Sequence, residues 1–377
     1  RYLTHGSMQI MADPQDHVSA SGSGFSQEGW DWCHIPGTTA AEIPMEEMRA
    51  NVLNVDEFSG YEEMLLSDEW FAGGVSHKGM DGVFAMKLHE HDKYNGTLRG
   101  LKSFFAFGDR IVALGSGLEN RLGGSGLHTT LFQNSMPGSK SQTPVYTSGD
   151  SLTVVRDRFG NAFFVKGDNV VYTSGIQHSF HEETAAPTEG RFEKAYIDHG
   201  SIVDGGSYEY MAVVHASPEK CEEYAAALPY TVVRCDSMAH IVADRVSGEK
   251  GFAVFGGLDP EDDAIIEQAT PSLIMYSLGD GELTLSVCNP DLALYSGPSD
   301  EVFGEDGKRK ERSVYGRTWV DSPCGPSEVR LTLKGDWSIT DPGDSSVTSA
   351  KDGGNTVLVF STREARTEEI TLKMNGQ

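Results

Sequence analysis

Short apolar runs, each broken by a glycine-bearing turn, constrain this chain more than any other feature. SFFAFGDRIVALGSG (103–117) is two such runs on either side of Gly108-Asp109. NAFFVKGDNVVYTSG (161–175) repeats the device around Gly167-Asp168-Asn169. HIVADRVSGEKGFAVF (240–255) does so around Ser247-Gly248, and LIMYSLGDGELTLSVC (273–288) around Gly279-Asp280-Gly281. Runs of this length, joined by such turns, predict antiparallel hairpins. EVRLTLKGDWSIT (328–340) and NTVLVFSTREARTEEITLKM (355–374) continue the pattern. The device recurs without a fixed period. Two segments read as helix: PMEEMRANV (44–52), with Pro44 in the first turn, and SPEKCEEYAAAL (217–228), with Ser217 as N-cap and Pro218 at N1. The expected fold is therefore all-β, built of stacked antiparallel sheets. The turn-rich CNPDLALYSGPSDE (288–301) places a boundary between a large sandwich, residues 1–290, and a small one, residues 291–377.

Charge narrows the partners. Acidic residues outnumber basic ones 56 to 30, for a formal charge of −26. Such a field opposes non-specific binding to nucleic acid or anionic membrane, so neither is an expected partner. No apolar stretch has the length of a membrane-spanning helix. The five cysteines (Cys33, Cys221, Cys235, Cys288, Cys324) lack metal-type spacing and read mostly as small buried hydrophobes. The chain opens at Arg1 directly in an alternating segment, RYLTHGSMQIM, with no leader, which reads as the interior of a longer protein.

Each cluster of chemically active residues has a structural reading beside the functional one. His89 and His91 of KLHEHD share a strand face and could ligate one metal, but no third ligand is evident and a polar strand end accounts for them. His178 and His181 of HSFH fall in an expected loop. Tyr208 and Tyr210 of SYEYMAVVHA lie on one face of a strand, with Glu209 opposite. A tyrosine could act as base and acid only if its surroundings lowered its pKa from about 10, and strand aromatics more often pack. GKRKER (307–312) is the one basic run and reads as a solvated hairpin tip. Hydrolase, kinase and dehydrogenase signatures are missing.

GWDWCHIPGTT (29–39) packs Trp30, Asp31, Trp32, Cys33 and His34 against a Pro36-Gly37 turn. This segment, then FAGGVS (71–76), GVFAMKL (82–88), LKSFFAFGDRIVALGSGL (101–118), HTTLFQN (128–134), PTEGRFEKAYIDHG (187–200) and SYEYMAVVHASPEK (207–220), resembles polysaccharide lyase family 8 and, within it, the chondroitin sulfate ABC type. The match runs from the first strand to about residue 290 and more loosely beyond.

The resemblance implies an antiparallel β supersandwich followed by a small β-sandwich, the family's helical toroid lying outside this sequence. It implies β-elimination at a uronic acid of a glycosaminoglycan, either a sulfated glycosaminoglycan polysaccharide (chondroitin or dermatan sulfate) or unsulfated hyaluronan, in a secreted or periplasmic bacterial protein. No cofactor and no metal are expected. The family's His, Tyr, Arg and Glu are expected upstream of Arg1, so no residue here is assigned to catalysis. The chain alone is expected to be inactive, with an N-terminal helical toroid domain or companion chain as its partner. Trp30 and Trp32 are expected to anchor the sheet. His34 and Trp32 are the substrate-contact candidates, because loops on rigid sheets often carry binding residues. The alternative is a non-catalytic carbohydrate-binding or scaffold protein derived from the β half.

Overall fold

The computed structural model of the chain describes residues 26, 28–44, 69–90, 96–123, 126–136, 145–148, 152–167, 169–181, 186–257, 262–268, 270–291, 302–307, 309–310 and 325–376. They form four antiparallel sheets stacked in layers and a separate two-stranded hairpin. In spatial order, the first sheet is Thr39–Ala41, Leu127–Ser135, Pro187–Asp198 and Val170–Phe180. The second runs Ala72–His77, Asp81–His89, Arg99–Phe107, Arg110–Asn120, Val203–Val213, Ala162–Lys166, Leu152–Arg156, Val145–Ser148. The third runs Tyr230–Cys235, Ala239–Asp244, Glu249–Val254, Ser272–Gly279, Glu282–Cys288, Glu368–Met374, Trp337–Asp341. The fourth is Ile265–Gln268, Pro326–Leu333, Asn355–Arg363 and Val347–Asp352. The helix Pro218–Ala226 starts at Ser217, whose hydroxyl accepts from Lys220 N (3.2 Å), satisfying one of the amides that a helix start leaves open. Beyond Pro44, the helix expected over 44–52 lies outside the described residues.

Layering explains why the runs are apolar without interruption. Val112 and Leu114 enter the core between the second and third sheets, while Ala113 between them enters the core against the first. Phe164 and Met211 face the third sheet, and Phe163, Val165 and Tyr210 face the first. The third sheet repeats this: Val242, Ala253 and Met275 face the second, and Ile241, Phe252 and Ile274 face the fourth. A strand with both faces buried has no solvent side on which to place polar residues.

Three of the six run–turn–run segments are hairpins: Arg99–Phe107 with Arg110–Asn120, Ala239–Asp244 with Glu249–Val254, and Ser272–Gly279 with Glu282–Cys288. The other three are corners between sheets. Ala162–Lys166 is already paired on both edges, by Leu152–Arg156 and Val203–Val213, so Val170–Phe180 leaves for the first sheet. Pro326–Leu333 lies between Ile265–Gln268 and Asn355–Arg363, so Trp337–Asp341 joins the third sheet. Asn355–Arg363 is likewise taken on both edges, and Glu368–Met374 crosses to pair with Glu282–Cys288.

These crossings bear on the boundary expected after residue 290. Pairing between Glu282–Cys288 and Glu368–Met374, and between Ile265–Gln268 and Pro326–Leu333, spans it. One core joins Ile241, Phe252 and Leu285 to Leu331, Phe360 and Ile370. The division into 1–290 and 291–377 therefore cuts two sheets, and residues 230–288 group with 326–374. The basic run sits partly in a small hairpin of Val302–Phe303 with Arg309–Lys310; Lys308, Glu311 and Arg312 lie outside the described residues.

Candidate functional site at the Trp-Asp-Trp segment

Residues 29–39 lie across the first sheet, at its contact with the second. Gly29 has φ +78°, and a Cβ there would stand 2.2 Å from Gly190 N, so only glycine lets the segment lie flat on Pro187–Asp198. Trp30 meets Trp32 and Phe192 edge to face, with centroids 6.5 Å and 6.0 Å away. The Trp32 indole donates to Phe180 O (3.3 Å). Gln133 clamps the next turn: its Oε1 accepts from Asp31 N (2.8 Å), and its Nε2 donates to Asp31 O (3.0 Å) and His34 O (2.9 Å). Gly37 N donates to Thr130 O and Thr130 N to Thr38 O, while Thr39 pairs with Thr129 in register.

His34 is 1% exposed and Trp32 6%. Both substrate-contact candidates are thus inside the protein, where they present almost no surface to a polymer. His34 completes a cluster of three rings, with centroids 5.0 Å from His128 and 4.6 Å from Tyr196; His128 and Tyr196 are 4.4 Å apart. Its Nδ1 donates to Asp31 Oδ2 (2.9 Å), which also accepts from Lys194 Nζ (2.6 Å). Burial would raise the Asp31 carboxyl, but the hydrogen bond and charge of His34, joined by Lys194, hold it well below the usual carboxylate range. Burial lowers His128, and it lowers His199 to about 4, with help from His128 and Lys102.

Beneath the Pro36-Gly37 turn lies Lys102, 3% exposed, whose Nζ donates to Gly37 O (2.8 Å) and sits over the Phe104 ring. Burial pulls this ammonium down to about 7. Sequence reasoning missed Lys102, His128, Lys194 and Tyr196. The legible signal was a lysine inside the apolar alternation RGLKSFFAF.

The remaining candidates are placed as follows. Tyr208 and Tyr210 stack at 6.0 Å inside the core between the first and second sheets. Burial pushes both hydroxyls up, Tyr208 further through Tyr210 beside it, so neither is poised as a base. Glu209 on the other face accepts from Tyr230 OH (2.9 Å) and pairs with Lys166 (2.7 Å). His89 Nε2 lies 3.2 Å from Gly96 O, and His91 is outside the described residues. His178 is on the strand Val170–Phe180 rather than in a loop, 3.7 Å from Glu189. Among the described residues, no group of three His, Cys, Asp or Glu side chains could hold a metal. Cys33, Cys221, Cys235 and Cys288 are free thiols; Cys221 and Cys288 are buried, Cys33 is half-buried and Cys235 exposed.

Antiparallel sheets stacked face to face, with both faces of the inner strands buried, define a layered β-sandwich protein. Residues 26–225 match polysaccharide lyase family 8, super-sandwich domain, and the chain belongs to that family. It is 39% identical, over 99% of its length, to the chondroitin sulfate ABC exolyase of Bacteroides thetaiotaomicron, covering 37% of that protein. With the chondroitin sulfate ABC exolyase of Proteus vulgaris it shares 36% identity over 91% of its length, covering 34% of that protein. The chain thus spans little more than a third of these relatives. The Streptomyces coelicolor A3 chondroitin AC lyase, solved in complex with chondroitin sulphate, superposes with a TM-score of 0.68 at 15% identity, over 92% of this chain and 41% of that one.

Proposed function

We propose that this chain is the β part of a glycosaminoglycan lyase that cleaves chondroitin or dermatan sulfate, or hyaluronan, by β-elimination at a uronic acid. The observation that carries the reading is the 39% identity to a chondroitin sulfate ABC exolyase, continuous over 99% of the chain. β-Elimination removes the proton at C5 of the uronate and expels the oxygen at C4. It needs a base of suitable pKa and donors aimed at the charge that builds on the carboxylate. Tyr208 and Tyr210 are buried with raised pKa values and do not supply that base. In this reading the proton-transfer groups come from a helical toroid, in the same polypeptide or a companion chain. The complete protein acts outside the cytoplasm, secreted or periplasmic.

The clamped Trp-Asp-Trp segment then serves the reaction by holding the Pro36-Gly37 turn in place. His34 and Trp32 support that turn from within; any influence they have on substrate passes through it. The test is an ultraviolet assay for the unsaturated uronide product. Residues 1–377 alone should give none from chondroitin sulfate, and the complete protein should give product readily. Turnover by the isolated chain would overturn the division of labour. Binding without turnover by the complete protein would instead favour a carbohydrate-binding role.

A further inference from the structure

Of the three rings gathered at His34, two are buried and the third, Tyr196, is partly exposed. Tyr196 stands on the strand Pro187–Asp198, opposite Thr130. Thr130 carries the Pro36-Gly37 turn: its O accepts from Gly37 N (2.8 Å), and its N donates to Thr38 O (3.0 Å). The pairing slips at this point. Ala195 lies opposite Phe132 and Tyr196 opposite Thr130, so Leu131 is an extra residue, and Leu131 and Phe132 both enter the core. Such bulges re-aim side chains and are over-represented beside working sites.

The Tyr196 ring is held from three sides. His128 and His34 lie 4.4 Å and 4.6 Å from it, and Lys194 Nζ sits over it at 5.7 Å from the centroid. His128 and Lys194 belong to the sheet itself, so the ring does not depend on His34 alone. Its hydroxyl, by contrast, makes no hydrogen bond among the described residues and is not buried. A tyrosine fixed by its apolar body, with its polar end open, is suited to meet a partner that is wet on one side. The phenol is a donor rather than a base: burial, then the charges of Asp198, Glu42 and Asp31, push its pKa up. Asp198, two residues on, shares the Tyr196 face of the strand, and its side chain is 45% exposed. Its Oδ1 accepts from Gly200 N (2.8 Å) and lies 3.7 Å from His128 Nε2, while Oδ2 makes no hydrogen bond among the described residues.

We infer that Tyr196 and Asp198 form a contact site for neutral hydroxyls of a sugar ring in the glycosaminoglycan, the phenol donating and the carboxylate accepting. The inference rests on the lyase reading above. A sugar hydroxyl both donates and accepts, which matches this pair. A sulfate or uronate only accepts, and it would meet the charges of Asp198 and the exposed Glu42. Asp31 adds little to that repulsion, because Lys194 pairs with it at 2.6 Å. Residues two apart on one strand face lie about 7 Å from each other, a span that one sugar ring with its substituents covers.

The test is the uronide assay on the complete protein, comparing the wild type with Tyr196→Phe and Asp198→Ala on unsulfated chondroitin and on chondroitin sulfate. Rates are read below every melting point, so that a loss of stability does not enter. Phenylalanine keeps the ring and its packing and removes only the donor. For each variant KM should rise about three- to ten-fold on both polymers, as expected for one lost hydrogen bond, with kcat within about two-fold. An unchanged KM in either variant would overturn the inference and leave the lyase reading standing. A rise confined to the sulfated polymer would show a contact with sulfate and overturn the assignment to hydroxyls. A wild type that cleaves neither polymer would overturn the lyase reading, and this inference with it.

Discussion

Two of the three boundaries of the stack are made of different material. Between the third and fourth sheets the buried side chains are mainly Ile241, Phe252, Leu285, Leu331, Phe360, Ile370 and their apolar neighbours, with one buried polar contact at the corner, where Gln268 Nε2 donates to Ser272 Oγ (2.6 Å). Between the second and third, an apolar core of similar character is pierced by polar pins. His240 is fully buried and bridges Ser103 Oγ (2.7 Å) and Ser116 Oγ (2.8 Å). Arg110 Nη2 donates to Asp244 Oδ2 (3.0 Å), both side chains being buried. His77 reaches Ser286 on the facing sheet. Apolar contacts are non-directional, so they tolerate sliding. A hydrogen bond or ion pair in a dry layer fixes one register and costs free energy when its partner moves. The second boundary is therefore tuned for register and is sensitive to charge, and the third is tuned for volume.

The comparison breaks first at Arg110. Arg110→Ala leaves Asp244 charged and buried beside an emptied pocket, and should cost about 3–5 kcal/mol in denaturant titration. Replacing both partners with apolar residues should recover little of that loss, because Asp244 Oδ2 also accepts from Val246 N (3.1 Å), Ser247 N (2.7 Å) and Ser247 Oγ (3.0 Å) and the substitution leaves those donors unpaired. If the single variant costs no more than a surface substitution, the pin is ornamental. Across the other boundary, Leu331→Ala should cost about 2–5 kcal/mol through its cavity. That loss should be the same at acid and neutral pH, and a pH-dependent loss would blur the distinction.

Protonation gives the third contrast. Burial lowers His77 to about 4, with Lys78 adding to the effect, and burial lowers His240 to about 4 as well. The unfolded chain takes up these protons first, so stability falls as pH drops from the ordinary histidine range toward 4. Each group is worth up to about 3 kcal/mol over that window. His240→Gln should flatten the acid limb of a melting-temperature profile, and an unchanged slope would remove His240 from the explanation.

The smallest effect tests the segment at the first boundary. His34→Ala deletes one ring of the cluster with His128 and Tyr196 and the hydrogen bond to Asp31. It should cost about 1–3 kcal/mol. In the complete enzyme KM and kcat should stay within about two-fold of wild type. A raised KM at unchanged stability would return His34 to the substrate.

The layered all-β fold was legible because both faces of the inner strands are apolar, and the three true hairpins were legible from their turns. The corners were not. KGDN at 166–169 and KGDW at 334–337 carry the same turn chemistry as the hairpin turn FGDR at 107–110. What separates them is whether the preceding strand still has a free edge, and that is decided by strands elsewhere in the chain. The boundary after residue 290 was misplaced for the same reason: turn-rich composition marks a loop, and pairing across that loop leaves no local trace. At the site, the tryptophans and His34 stood out by residue type. Lys194, His128 and Lys102 reach them from strands distant in sequence, and a single polar residue within an apolar run does not reveal which core it enters.

The crossing of the final strands has a consequence for how the molecule is made. Glu368–Met374 seats between Glu282–Cys288 and Trp337–Asp341, so the third sheet lacks an inner member until residues 368–374 have been made, some eighty residues after Glu282–Cys288. Until then Glu282–Cys288 presents an open edge whose Leu283, Leu285 and Val287 end fully buried. Such an edge is an invitation to pair with a neighbouring nascent chain. The first and second sheets, complete by Val213, can close well before that moment. The exposed interval in biosynthesis therefore falls between Glu282–Cys288 and Glu368–Met374, and it ends when the latter strand seats.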